Sequence, residues 1–172
     1  GKWGNIFLNK LEQHNPKNVL EIGVFCGVTA RNICDFLNNK NGKDFNYIGI
    51  DLFGDNQNVK KDEIEPTFLK DQKFSNPLKN LYYNHILKEN LNSVKSVNKL
   101  LKKYNQNIKL IAGDTNKVLR EIDLKSIDFT FLDGGHSYQT VMNDLSILYE
   151  NMKGQNKVIF CELTKKIFYY RQ

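Results

Sequence analysis

Cysteine is scarce in this chain: Cys26, Cys34 and Cys161 are the only three, and no two form a C-x-x-C pair. An odd count without paired spacing argues against a disulfide framework and for free thiols in a reducing compartment, so a cytoplasmic location is expected. Long apolar runs are missing as well. No stretch approaches the roughly 18 apolar residues of a membrane span, and the opening "GKWGNIFLNKLEQHN" lacks the apolar core of a secretion signal. A soluble chain without a membrane partner is expected. The spacing G-x-G-x-x-G, which cradles a pyrophosphate at a helix N-terminus, is also absent; Gly23 and Gly27 do not fit it.

Clustered positive charge is lacking too, although the net charge is +6. The lysines are spread along the chain, with only the short pairs Lys60-Lys61, Lys102-Lys103 and Lys165-Lys166, and are mixed with many asparagines. A dispersed pattern reads as a solvated surface, not the patch a nucleic-acid groove needs. What is present is enough for a core: 172 residues, 40% hydrophobic and 12% aromatic, fit one domain spanning 1–172.

Along the chain, short apolar runs alternate with helical spacing. Residues 3–13 place Trp3, Ile6, Phe7 and Leu11 on one helix face, and Pro16 ends the pattern. "NVLEIG" reads as a strand, 29–37 as a helix through Ala30, Ile33, Cys34 and Leu37, and "FNYIGIDLF" as a second strand. "IKLIAGD", "IDFTFLDGG" and "NKVIFCEL" supply strands three to five, with helices at 116–121 and 137–151. Buried strands alternating with helices predict an α/β fold: a doubly wound, mainly parallel sheet of Rossmann-like type, with helices on both faces.

Acids stand at the strand ends: Glu21 before Gly23, Asp51, Asp114 after Gly113, Asp133 before Gly134 and Gly135, and Glu162. In an open parallel sheet the carboxyl ends share one edge, where ligands bind at the topological switch point. Each acid alone could equally be a helix N-cap or a solvated loop carboxylate. Five at corresponding positions point to a ligand site.

Four segments in order, "VLEIGVFCGVT", "YIGIDLF", "IKLIAGDT" and "IDFTFLDGGHSYQTVMNDL", resemble the signature segments of class I S-adenosylmethionine-dependent methyltransferases. The last, with its D-G-G-H-S-Y core, is similar to small O-methyltransferase-like families that include the macrolide sugar methyltransferases. The resemblance implies S-adenosylmethionine as cofactor. Gly23, Phe25, Gly27 and Thr29 would line the methionine end, with Glu21 attracting the ammonium group. Asp51, 24 residues beyond Gly27, would accept from the ribose hydroxyls beside Leu52. Asp114 would accept from the adenine amino group, with Gly113 giving room for the ring. The family's common pattern has a glycine where this chain has Phe25, which reads either as a pocket wall or as a core aromatic.

Methyl transfer to a hydroxyl needs a base, or a metal that lowers the hydroxyl's pKa. The resemblance implies Asp133 and His136 as the catalytic pair, and magnesium held by Asp133 and Glu162. The neighbouring acid expected after Glu162 is replaced by Leu163. His136 has a second reading, a helix-start residue that bonds its own loop, whereas His14 and His85 read as ordinary helix residues. Neither an N/D-P-P-Y/F segment, which presents an amino group, nor a P-C nucleophile is found. A small hydroxylated acceptor, such as a sugar or secondary metabolite, is therefore expected.

Two departures remain. A helical insertion or lid is expected at about 54–95, between strands two and three. After Glu162 the chain continues only with "LTKKIFYYRQ", so the fold is expected to be shortened after strand five. "KIFYY" would then cover that edge or pair with a second subunit as a homo-oligomer. The alternative to an active methyltransferase is a non-catalytic or truncated S-adenosylmethionine-binding module.

Overall fold

The computed structural model describes residues 2–54, 77, 78, 82, 90–135, 137–152, 154, 156–163 and 166–171. Most of the expected insertion at 54–95 lies outside the described residues, as do His85 and His136. Six strands form one sheet: β1 (Asn18–Ile22), β2 (Asn46–Asp51), β3 (Ile108–Ala112), β4 (Phe129–Leu132), β5 (Val158–Leu163) and β6 (Lys166–Arg171). Their spatial order is β3-β2-β1-β4-β5-β6. The first five are parallel to one another, and β6 returns antiparallel along β5. The sequence expectation that "KIFYY" meets the strand-five edge is thus met at the backbone, by an added strand where a shortened fold was expected.

Five α-helices accompany the sheet among the described residues: α1 (Lys2–His14), α2 (Val28–Asn41), α3 (Val94–Leu100), α4 (Thr115–Val118) and α5 (Tyr138–Asn151). The alternation of side chains along a strand separates two apolar layers. Val19, Tyr47, Phe129, Phe131 and Phe160 face one way and pack with Phe7 and Leu11 of α1, Ala30, Ile33, Cys34 and Leu37 of α2, and Val97 of α3. Leu20, Ile22, Ile50, Leu132 and Ile159 face the other way, against Val118 of α4 and Val141, Ile147 and Leu148 of α5. This is the doubly wound arrangement that the strand pattern predicts.

Phe7 anchors α1 over the centre of the sheet, its ring 4.5 Å from that of Phe131 and 5.4 Å from that of Phe160. Burying one such side chain is worth about 1.5 to 3 kcal/mol. Helix α2 runs four residues past the expected Leu37 because its apolar face ends there while the helix itself stops only at Gly42, the C-cap at φ 62°. Among the described residues, no helix is long and apolar enough to cross a membrane.

Candidate functional site

Reversal of strand order between β1 and β4 makes a switch point, and the loops leaving β1, β2 and β4 meet there. The turn after β1 is held by two contacts. Gly23 donates its N–H to the Ile50 carbonyl at 2.9 Å, and Phe25 donates its N–H to Asp51 Oδ2 at 2.7 Å. Gly23 is required by its neighbours: at φ 92°, a Cβ there would lie 2.6 Å from the Asp133 carbonyl oxygen and 2.7 Å from the Gly134 nitrogen. The loops after β1 and β4 therefore touch backbone to backbone. This glycine permits a close approach to the β4 loop, whatever else it admits. A Cβ at Gly27 would likewise press on Val97 of α3 at 2.8 Å.

Phe25 occupies the place of the missing glycine with φ 48°. That left-handed conformation is uncommon for a bulky residue and costs about 1 to 3 kcal/mol. The bond to Asp51 helps to hold it there. Asp51 is itself buried and accepts a second N–H, from Phe53, on Oδ1 at 2.7 Å. Its carboxylate thus clasps the β1 loop to the β2 loop. Each oxygen accepts one backbone N–H and keeps acceptor capacity for another donor.

Glu21 is completely buried on the α1–α3 side of the sheet. Tyr47 of β2 donates its hydroxyl to Glu21 Oε2 at 2.5 Å, and among the described residues Oε1 has no hydrogen-bond partner. Burial raises the Glu21 carboxyl to about 8; the Tyr47 hydrogen bond pulls it down, and the charges of Asp133 and Asp51 push it further up. A carboxyl group in this setting, with an oxygen to spare, gains most from a cation that supplies both a donor and a charge.

Glu21, Asp51 and Asp133 therefore share one electrostatic environment at the ends of β1, β2 and β4, as the strand-end pattern predicts. Asp133 is exposed, and its N–H is donated to the Ile22 carbonyl at 2.9 Å. Asp114 follows the sheet's edge strand β3, is exposed, and caps α4 by accepting from the Asn116 N–H at 2.9 Å and from Asn116 Nδ2 at 2.8 Å. Its helix-cap role is thus real, and oxygen Oδ2 is left for another donor. Thr29 lies in the first turn of α2, and Leu52 follows Asp51; both are half-buried. Gly113 donates its N–H to the Asp51 carbonyl at 3.0 Å, linking the β3 end to the β2 end.

The catalytic and metal expectations meet the structure only in part. His136 lies outside the described residues; Glu162 has its backbone in β5, paired with Ile167 of β6, while its side chain lies outside them. Among the described residues, no group of three or more His, Cys, Asp or Glu side chains could hold a metal ion. A groove lined by Leu119, Asp123, Asn143, Ile147 and Glu150 contains none of the strand-end acids.

Sequence reading missed Tyr47 and Gly49. In the β1–β2 ladder Gly49 lies opposite Glu21, and a Cβ at Gly49 would sit 2.9 Å from the Tyr47 hydroxyl. A glycine inside a strand is the signal that could have exposed this, since it marks a close approach.

Fold and site together define a doubly wound α/β domain whose switch point gathers the acids Glu21, Asp51 and Asp133 at the ends of three neighbouring strands. Residues 20–161 match the family model described as a methyltransferase domain, and the chain belongs to that family. No match is found among curated proteins. The fold is shared with the SAH-bound methyltransferase PaMTH1 of Podospora anserina, at 15% identity and a TM-score of 0.59 over 93% of this chain and 51% of that one. It is shared also with the O-methyltransferase of Bacillus cereus in complex with SAH, at 12% identity and a TM-score of 0.56 over 93% and 55%. The chain spans about half the length of these solved structures.

Proposed function

We propose that this chain binds S-adenosylmethionine and directs its methyl group to a hydroxyl of a small acceptor, of the sugar or secondary-metabolite class. The observation that carries this reading is Glu21: a buried carboxyl at the end of β1 with Oε1 free to accept, in a chain of the methyltransferase-domain family. Its oxygen would receive the cofactor's ammonium group. Asp51 would add ribose hydroxyls to the acceptor capacity that its two backbone bonds leave, and Asp114 Oδ2 would accept from the adenine amino group beside Gly113. Gly23, Phe25, Gly27 and Thr29 shape the methionine end.

When bound, the sulfonium supplies an activated methyl group together with its own leaving group. The protein's part is to bring an acceptor oxygen into line and take its proton. His136, three residues after Asp133 and next to Gly135 in the sequence, is the proposed base. Asp133 and Glu162 would hold magnesium if a metal assists, with waters and substrate oxygens completing its six ligands. The hydroxyl acceptor is supported by the D-G-G-H-S-Y segment and by the fold shared with the Bacillus cereus O-methyltransferase. A homo-oligomer would form through the β6 edge.

Incubation with S-adenosylmethionine labelled in its methyl group, against a panel of hydroxylated sugars and phenols, tests this. Label transferred to an acceptor oxygen is the expected result. Cofactor binding without transfer to any hydroxyl would leave only a binding module.

A further inference from the structure

Tyr47 has no place among the residues that the sequence motifs assign, yet among the described residues its hydroxyl is the one hydrogen-bond partner of the Glu21 side chain. Register explains how it gets there. Glu21 stands opposite Gly49 of β2, and Tyr47, two residues earlier, is its diagonal neighbour on the same face. Because Gly49 has no side chain, the Tyr47 hydroxyl and the Val24 side chain use the space where a Cβ would be, 2.9 Å and 2.8 Å from it. Tyr47 is 1% exposed, and its ring packs in the layer beneath α1 and α2. It is therefore a rigid donor, aimed at one oxygen of a carboxyl that has no other anchor among the described residues.

We infer that Tyr47 is a positioning residue for cofactor recognition: it holds Glu21 Oε2 so that Oε1 is presented to the ammonium group of an α-amino-acid end. This rests on the reading of the site as one for S-adenosylmethionine. A buried carboxyl lacking that hydroxyl would have two unsatisfied oxygens and no fixed rotamer, and would receive the ammonium less well. The adenosine end would be unaffected, since its proposed partners Asp51 and Asp114 do not bond to Tyr47.

Two probes separate these effects in the intact chain. S-adenosylhomocysteine carries the amino-acid end, whereas 5′-methylthioadenosine has the same adenosine and thioether without it. The ratio of their affinities reads the Glu21 contact and cancels any general damage to the site. Tyr47→Phe should lower that ratio by about 5- to 10-fold, the size of one ordinary net hydrogen bond and less than a direct bond to a charged group because Tyr47 acts on the ligand only through Glu21, with 5′-methylthioadenosine affinity within twofold of the parent. In a Glu21→Gln background, the same substitution should have no further effect on the ratio. A ratio unchanged by Tyr47→Phe but collapsed by Glu21→Gln would overturn the role of Tyr47 and leave the cofactor reading intact. Equal loss of both ligands would make Tyr47 a packing residue and would equally overturn it. A ratio insensitive to Glu21→Gln would remove the cofactor reading itself. If Tyr47→Phe fails to fold, Gly49→Ala crowds the same hydroxyl and must lower the ratio; no change would count against the role.

Discussion

The Phe25 backbone N–H is 2.7 Å from Asp51 Oδ2, so the loop after β1 is tied to the last residue of β2 across the strand ladder. With the Phe53 N–H on its other oxygen, Asp51 organises two loops before any ligand arrives. Asp51→Ala should therefore act twice. Without ligand it should lower stability by about 2 kcal/mol or more, since hydrogen bonds to a charged group contribute ~1.5 to 3 kcal/mol each. Affinity for S-adenosylhomocysteine should fall about 30- to 1000-fold, the loss of the ribose contacts. Denaturant melts and titration calorimetry check the two effects; an affinity within threefold of the parent contradicts the ribose assignment.

Burial of Glu21 has a consequence for stability against pH. Its carboxyl rises from 4.5 to about 8 on folding, so between those values the folded state holds a proton that the unfolded chain releases. Stability from this group is fully present below pH 4.5 and declines as pH rises toward 8, by on the order of 3 to 5 kcal/mol. Glu21→Gln keeps the shape without the titration. Urea melts at pH 5.5 and pH 8 should show the parent losing stability across that interval and Glu21→Gln losing less. Parallel behaviour would mean that Glu21 does not titrate in this window.

His136→Ala tests the proposed base. Turnover should fall by about 10²- to 10⁴-fold while affinity for S-adenosylhomocysteine stays almost constant, because a base acts on the acceptor. Activity of the parent should also fall on the acid side as the imidazole protonates. If Asp133 and Glu162 hold magnesium, a chelator should abolish turnover, and removing either carboxylate should mimic it. Near-normal turnover in His136→Ala would make the D-G-G-H segment a structural turn.

The parallel core of the sheet was legible because each strand carries a mostly apolar run and helix α2 an apolar stripe, as in "VLEI", broken only by Glu21, and in Ala30, Ile33, Cys34 and Leu37. The three central acids were legible for the same reason: a parallel sheet brings its carboxyl ends to one edge. Other features lay in relations that a linear reading does not carry. Tyr47 reads as an ordinary strand aromatic until the register puts it diagonal to Glu21. Gly23 reads only as a residue that admits a ligand until the β4 backbone against it gives the glycine a second, structural reason. Asp114 shows both sides at once, a helix cap with an oxygen to spare. The β6 strand was hidden because "KIFYY" has no apolar alternation of its own, and pairing with β5 is what makes it a strand.

That pairing can be tested by removal. Strand β6 covers β5 through six residue pairs, from Val158 with Arg171 to Leu163 with Lys166. A chain ending at Leu163 would expose the backbone donors and acceptors of β5, which invites another edge to pair. It should melt at a lower temperature, or associate at high concentration, compared with the parent. An unchanged melting temperature together with an unchanged mass in solution would show that the ladder contributes nothing.

Titration calorimetry of S-adenosylhomocysteine into the parent protein, with NADH as the control ligand, tests the central claim most directly. Saturable binding of S-adenosylhomocysteine at one site, weakened by Glu21→Gln and by Asp51→Ala, with no binding of NADH, is the predicted result. Binding of NADH without S-adenosylhomocysteine, or binding of S-adenosylhomocysteine indifferent to both substitutions, would contradict the assignment of the β1–β4 switch point as the cofactor site.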